Sequence, residues 1–380
     1  MEEAYLILEN GTVFRGRPFG YGGRAVGELV FSTSMTGYLE TLTDPCHYGH
    51  IVLQTFPLIG NAGVISDDFA SVPDRTGGAA KLKAYIVRQW CQEPSNFRSE
   101  GNLDAFLRHN RIPGLYGIDT RALTRIIREN GSINAMISPE PTLSGAQWDE
   151  LRSYKITGAV EAVSEKREGQ GADKIYGPIL TPGQPEPKAN ILLWDFGSTV
   201  SLLNQLAEYG CRPKLIAGST ATADDIIAHN PDGIILSDGP GDPAGNTRII
   251  EEIKKLCGDK YENKIPVFGV GLGHQMLAIA KGAATEKLHF GHRGANYPVR
   301  ETETGRAFVT KQNHGFTVTP GSLPDSAKVS YVNVNDGTCE GIQYDNVPAF
   351  SVQFHPPFEI AGQLVRRFVE MTEEKNHAAR

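Results

Sequence analysis

At 380 residues the chain is long enough for two or three domains of about 150 residues each, and 40% hydrophobic with 21% charged residues excludes collagen-like, coiled-coil and largely disordered chains. The 37 basic and 44 acidic residues are interspersed and leave a net charge of −7, so no face is built for a phosphate backbone and nucleic acid is not expected as a partner. There is no apolar run of about 18 residues, and Met1-Glu2-Glu3-Ala4-Tyr5 lacks the basic and apolar regions of a leader, so a cytoplasmic location without a membrane role is expected.

Residues 5–8, 29–31, 51–54 and 84–87 read as short strands, set among glycine-rich turns, with helices over 103–110 and 120–130, the second stopped by Gly131. This predicts a mixed α/β domain over residues 1–150. Apolar periodicity then weakens and charge rises from 151 to 177, and Thr181-Pro-Gly-Gln-Pro-Glu-Pro-Lys188 follows, so 151–188 is read as a connecting segment with the domain boundary in its proline-rich end.

A different pattern fills 189–376. Residues 190–194, 233–237 and 265–269 are continuous apolar runs ending in glycine-rich turns, alternating with helical stretches up to Tyr209 with Gly210 as cap, over 247–257 and over 275–280. Strand-helix alternation of this kind predicts a doubly wound α/β domain, whose ligands bind at the carboxyl ends of the strands. Cys46, Cys91, Cys211, Cys257 and Cys339 are scattered without a CxxC or a Cys/His cluster, so free thiols are expected, with no disulfide and no metal.

Three turns could carry chemistry. Val267-Phe-Gly-Val-Gly271-Leu-Gly-His-Gln275 runs from strand through a tight turn into a helix, as a nucleophile elbow does, beside backbone N–H groups able to hold an oxyanion. Its central residue is Gly271, and spacing alone equally allows a plain tight crossing; GxGxG does not fit the dinucleotide pattern, and there is no GxxxxGK(S/T) loop. Ser237-Asp-Gly239-Pro-Gly241-Asp-Pro243 is a rigid turn whose amides can meet a carbonyl or carboxylate, or simply a turn. Phe350-Ser-Val-Gln-Phe-His355-Pro-Pro357 sets a histidine just past a strand.

Taken together with Gln312-Asn-His-Gly-Phe316, these segments resemble the class I glutamine amidotransferases. Phe31-Ser-Thr-Ser-Met-Thr-Gly-Tyr38, Leu42-Thr-Asp-Pro45, Phe56-Pro-Leu-Ile-Gly-Asn-Ala-Gly63, Ser95-Asn-Phe-Arg98 and Gly117-Ile-Asp-Thr-Arg-Ala-Leu-Thr-Arg125 resemble the small subunit of carbamoyl-phosphate synthetase. The resemblance implies a glutaminase with a Cys-His-Glu triad that passes ammonia to a large ATP-dependent subunit, feeding arginine or pyrimidine biosynthesis. ATP and magnesium would belong to that subunit, and this chain would carry no cofactor.

Carried over residue by residue, the base falls on His355, the nucleophile on Gly271 and the histidine-orienting acid on Pro357, so two triad members are absent; Glu359, two residues on, could in principle substitute for the acid. Glycine supplies no thiolate and proline accepts no N–H, so glutamine hydrolysis is expected to be lost and free ammonia to be used. Gly239, Gly241, Leu272, Gln275, Asn313, Gly315 and Phe316 retain the glutamine-pocket pattern. The family's Asp-x-Gly-x-Lys appears as Asp195-Phe-Gly-Ser-Thr199, and its Thr-Asp-Pro-Ser ends in Cys46, a pocket position and a conceivable displaced nucleophile. Alternatives are a non-catalytic module sensing glutamine or a related amide, and an active glutaminase altered at 271. A Gly271→Cys replacement is expected to cost about 1 kcal/mol, since the turn's backbone angles suit glycine.

Overall fold

The computed structural model describes residues 3–71, 80–164, 189–209, 211, 213–258, 265–356 and 358–378. The expected boundary at 181–188 and the cap Gly210 lie outside them. Two compact units are present, the first formed by 1–157 with 288–294 and the second by 158–287 with 295–380.

The first unit is a closed barrel, an arrangement that the sequence reading of a mixed α/β domain did not contain. Its strands are β1 (Ala4–Leu8), β2 (Val13–Gly20), β3 (Ala25–Ser32), β4 (His50–Gln54), β6 (Ala84–Val87), β8 (Pro113–Tyr116) and β9 (Ile133–Ser138), in the order β1-β2-β8-β6-β4-β3-β9. A separate pair joins β5 (Leu58–Ile59) to β7 (Gln89–Trp90). The four parallel strands β3, β4, β6 and β8 set Leu29 beside Ile51, Ile51 beside Ala84 and Ile86 beside Leu115, while β9 closes the ring on β1 through Tyr5 and Ser138.

Successive side chains along these strands enter two different cores. Leu29, Phe31, Ile51, Leu53 and Ile86 fill one, and Val30, Val52, Tyr85 and Val87 pack in the other with Tyr38, Leu39 and Leu42 of α1 (Tyr38–Thr43) and Leu103, Phe106 and Leu107 of α2 (Leu103–His109). Burial on both faces is why these segments read as unbroken apolar runs. Asp119 caps α3 (Thr120–Asn130) by accepting from the Ala122 N–H, and Gly131 ends it at φ 87°. The barrel escaped sequence reading because β2 contains Arg15, Gly16, Arg17 and Pro18, poor strand residues that the closed hydrogen-bond ring tolerates. Helix α4 (Gly145–Ser153) completes the unit behind a Ser144–Gln147 capping box.

The second unit begins with α5 (Ala159–Ser164) and is built on a nine-stranded sheet. Its parallel half contains β10 (Ile191–Asp195), β11 (Lys214–Ala217), β12 (Gly233–Leu236), β13 (Val267–Val270) and β18 (Ala349–Val352) in the order β11-β10-β12-β13-β18. The doubly wound reading holds for this half. Beyond β18 the sheet continues antiparallel through β17 (Cys339–Tyr344), β16 (Ala327–Asn333), β14 (Thr285–Glu301) and β15 (Ala307–Val318), an extension the sequence reading did not contain.

Helices cover both faces of the parallel half. Ile191, Leu193, Ile235 and Phe268 pack with Leu202, Leu203 and Leu206 of α6 (Val200–Glu208) and with Leu364, Val365 and Phe368 of α10 (Phe358–Ala378). Leu192, Trp194, Ile234 and Leu236 pack with Ile226 of α7 (Ala223–Ala228), Ile249 and Ile253 of α8 (Thr247–Leu256) and Met276 and Leu277 of α9 (Leu272–Ala280). Phe268 stacks on Phe350 at 4.6 Å between ring centroids, and each such buried ring contributes about 2 to 3 kcal/mol. Among the described residues no helix is long and apolar enough to cross a membrane.

Candidate functional site

The turns that follow β10, β12, β13 and β18 lie at the carboxyl ends of four parallel strands, where an open α/β sheet binds its ligands. The sharpest is the turn from β13 into α9. Gly271 sits at φ 53°, ψ −111°, a conformation that strains a residue with a Cβ, and its N–H donates to Val352 O at 2.9 Å. Each glycine of the GxGxG run has its own reason. A Cβ on Gly269 would meet the Gly273 carbonyl oxygen at 3.1 Å, and one on Gly273 would meet Leu236 O at 2.3 Å, so these two let the helix press against its own and the adjacent strand.

Gly271 is different. A Cβ there would lie 2.0 Å from Oδ1 of Asp238, so a carboxylate fills the space where a side chain at the elbow would begin. Asp238 is 6% exposed. Its Oδ1 accepts from the Leu272 N–H at 2.9 Å and from the Gly239 N–H at 2.7 Å. Its Oδ2 lies 3.0 Å from Nε2 of His355, close enough for an ion pair although that ring nitrogen makes no aligned hydrogen bond. The amino end of a nine-residue helix favours a negative charge at this point.

The neighbouring turn is bound to this one. Ser237 Oγ accepts from the Phe196 N–H and donates to Asp238 O, both at 2.8 Å, and a Cβ on Gly239 would meet Phe196 O at 2.4 Å. Within 195–199, Oδ1 of Asp195 accepts from the N–H groups of Gly197 and Ser198 at 3.1 and 2.7 Å. Gly241, at φ 95°, closes the turn after β12 and packs on Ala159.

On the other flank, Gln275 Nε2 donates to Phe316 O at 2.7 Å and to Gln353 Oε1 at 2.8 Å, tying α9 to β15 and to the segment before His355. The His355 N–H donates to Lys311 O at 3.0 Å. Asn313 and Gly315 lie on the same strand as Phe316, and Asn313 Oδ1 is a buried acceptor without a partner among the described residues. Deeper in α9, His274 is fully buried with Nδ1 2.8 Å from Ser351 Oγ, and burial pushes its imidazole down to about 3.

Gly239, Gly271, Leu272, Gln275, Phe316 and His355 are therefore linked through a short series of contacts in one unit. Cys46 belongs to the other unit, in a buried 3₁₀ turn where the Asp44 carboxylate accepts from its N–H at 2.9 Å. Pro357 and the side chain of Glu359 lie outside the described residues. Sequence reasoning missed Asp238. It stands inside the quoted 237–243 turn, but its partners Leu272 and His355 are far along the chain and nothing local marks it.

The amino-terminal part, residues 6–137, matches the family model of the carbamoyl-phosphate synthase small chain, CPSase domain, and residues 192–363 match that of class-I glutamine amidotransferase. The carbamoyl phosphate synthase small chain of Clostridium perfringens is 41% identical over 356 residues, covering 93% of this chain and 94% of that one. The pyrimidine-specific small chains of Halalkalibacterium halodurans and Bacillus subtilis are 42% and 41% identical, covering 98% and 97% of this chain and 98% and 95% of theirs. The chain belongs to the carbamoyl phosphate synthase small-chain family, with a class I glutamine amidotransferase domain in its carboxyl-terminal half.

Proposed function

We propose that this small chain no longer hydrolyses glutamine and acts as the partner of a large ATP-dependent synthetase subunit in a complex that draws on free ammonia. The observation that carries the proposal is the elbow: residue 271 has no side chain, and the carboxylate of Asp238 fills the place where one would begin. Amide hydrolysis through a covalent intermediate requires a nucleophile that attacks the carboxamide carbon and expels ammonia, with the developing oxyanion held by backbone donors. Gly271 offers no such atom. His355 remains, but with nothing at 271 to deprotonate, its Nε2 instead lies 3.0 Å from Asp238 Oδ2.

In this reading ATP and magnesium are bound by the large subunit, the chain works in the cytoplasm, and neither nucleic acid nor a membrane takes part. The product feeds arginine or pyrimidine synthesis. The test is reconstitution: the chain is co-purified with its large subunit, and carbamoyl phosphate formation is followed with glutamine or ammonium as nitrogen donor. Formation with ammonium and a rate with glutamine at the no-enzyme blank is the expected result. Glutamine-dependent formation or ammonia release well above that blank would overturn it.

A second reading, a module that senses glutamine or a related amide, is supported by Asn313, whose buried Oδ1 is an acceptor available for a ligand N–H. Titration with L-glutamine separates the readings, because sensing requires saturable binding without turnover and without a synthetase partner.

A further inference from the structure

We infer that Asp238 is a built-in occluder: its carboxylate occupies the oxyanion seat of the elbow, so the site is closed from within as well as lacking its nucleophile. The inference rests on the amidotransferase reading of this turn.

The seat is defined by its donors. The N–H of Leu272, the residue after the elbow position, and the N–H of Gly239 from the adjacent strand's turn converge on a single oxygen at 2.9 and 2.7 Å. Two backbone donors aimed at one oxygen beside a helix amino terminus form the arrangement that stabilises a tetrahedral oxyanion. Here the oxygen is Oδ1 of Asp238, which comes from the chain itself. The second oxygen, 3.0 Å from His355 Nε2, gives the imidazole a carboxylate neighbour on the side facing the elbow. One buried side chain thus takes up the two backbone donors, and faces the imidazole, that a bound amide would otherwise meet.

Occupancy and a side chain at 271 exclude each other. With 2.0 Å between Oδ1 and an ideal Cβ, either the carboxylate leaves or the turn shifts. Glycine at 271 is therefore more than a lost nucleophile: it is the residue that gives the occluder its room. A ligand carbonyl can enter only when the Asp238 side chain swings out, so its apparent affinity is reduced by the fraction of molecules in that state.

The test uses the full chain in four forms: parent, Gly271→Cys, Asp238→Ala and the double variant. Gly271→Cys is expected to lower the melting temperature of the parent by more than about 5 °C. In the Asp238→Ala background the same substitution is expected to lower it by less than half as much, since no carboxylate is left to displace. Equal shifts in the two backgrounds would overturn the occluder.

Titration with L-glutamine gives an independent readout, because a residue with only a structural role would weaken binding when removed. Asp238→Ala is expected to bind L-glutamine at least about tenfold more tightly than the parent, with Asp238→Asn, which keeps the shape and drops the charge, between them. Parent binding as tight as that of both variants would also overturn it. Glutamine turnover by the parent bears on the loss of hydrolysis, whereas the melting cycle bears on the occluder, so the two readings fail separately.

Discussion

At the end of β10, Asp195 satisfies the amides of Gly197 and Ser198, two and three residues further on; after β12, Asp238 bonds the Leu272 amide 34 residues away, at the start of the helix that follows the next strand. Both are aspartates in glycine-containing turns at the carboxyl edge of one parallel sheet, and both present a carboxylate to backbone N–H groups. The first caps its own turn. The second joins three segments and fills the space of a missing side chain, so it couples turn geometry to the loss of chemistry.

The largest expected difference between the two turns comes from adding a Cβ to each. At Gly271 the added atoms must displace a carboxylate holding two charge-assisted hydrogen bonds, in a backbone conformation that already strains any other residue. Gly271→Cys should therefore cost about 3 to 5 kcal/mol, well above the roughly 1 kcal/mol that backbone angles alone suggest. At Gly197, φ 136°, the nearest atom to a Cβ is the Gly239 Cα at 3.2 Å, so Gly197→Ala should cost about 1 to 2 kcal/mol. Urea unfolding of both variants checks the ordering, and equal costs would mean that the carboxylate yields without loss.

Next in size is a pH effect in the helix that the second turn caps. His274 titrates near 3 in the folded chain because burial penalises its charged form, against an ordinary value of about 6.5 when unfolded. The unfolded chain binds the proton first, so this contribution is complete above about pH 6.5 and is lost progressively as pH falls toward 3. Lowering pH from 7.5 to 5.0 should remove about 2 kcal/mol through this group alone. His274→Gln should flatten that part of the profile, which melts of parent and variant at the two pH values would reveal.

The comparison also explains what could be read from the chain before its fold. The runs at 190–194, 233–237 and 265–269 announced β10, β12 and β13 because parallel strands covered on both faces must be apolar throughout. Gly131 ended α3 where expected because a left-handed residue at a helix end is a local requirement. The elbow was legible for the same reason: strand, tight turn and helix are contiguous. The barrel closure from β9 to β1, the antiparallel half of the second sheet and the role of Asp238 were not, since each depends on pairing between distant segments that leaves no local trace.

The finest test exchanges charge while keeping shape, by Asp→Asn at each turn. At position 195 the amide oxygen of asparagine can still accept from the Gly197 and Ser198 N–H groups, since Asx turns accept either residue, and the cost should stay within about 1 kcal/mol. At position 238 the oxygen can likewise accept from Gly239 and Leu272, but the negative charge facing the helix terminus is gone and an NH₂ group now faces His355 Nε2 at the former carboxylate distance. If that ring nitrogen carries a proton, two donors oppose one another; if it does not, it must accept in the other tautomer. Removing the charge from the helix terminus and from these hydrogen bonds should cost about 1 to 2 kcal/mol. The excess over Asp195→Asn measures the part of the Asp238 interaction that depends on charge rather than on shape. Denaturant unfolding at low and high salt reads it directly. An equal cost at the two positions would reduce Asp238 to a local turn cap, and with it the distinction between the two turns.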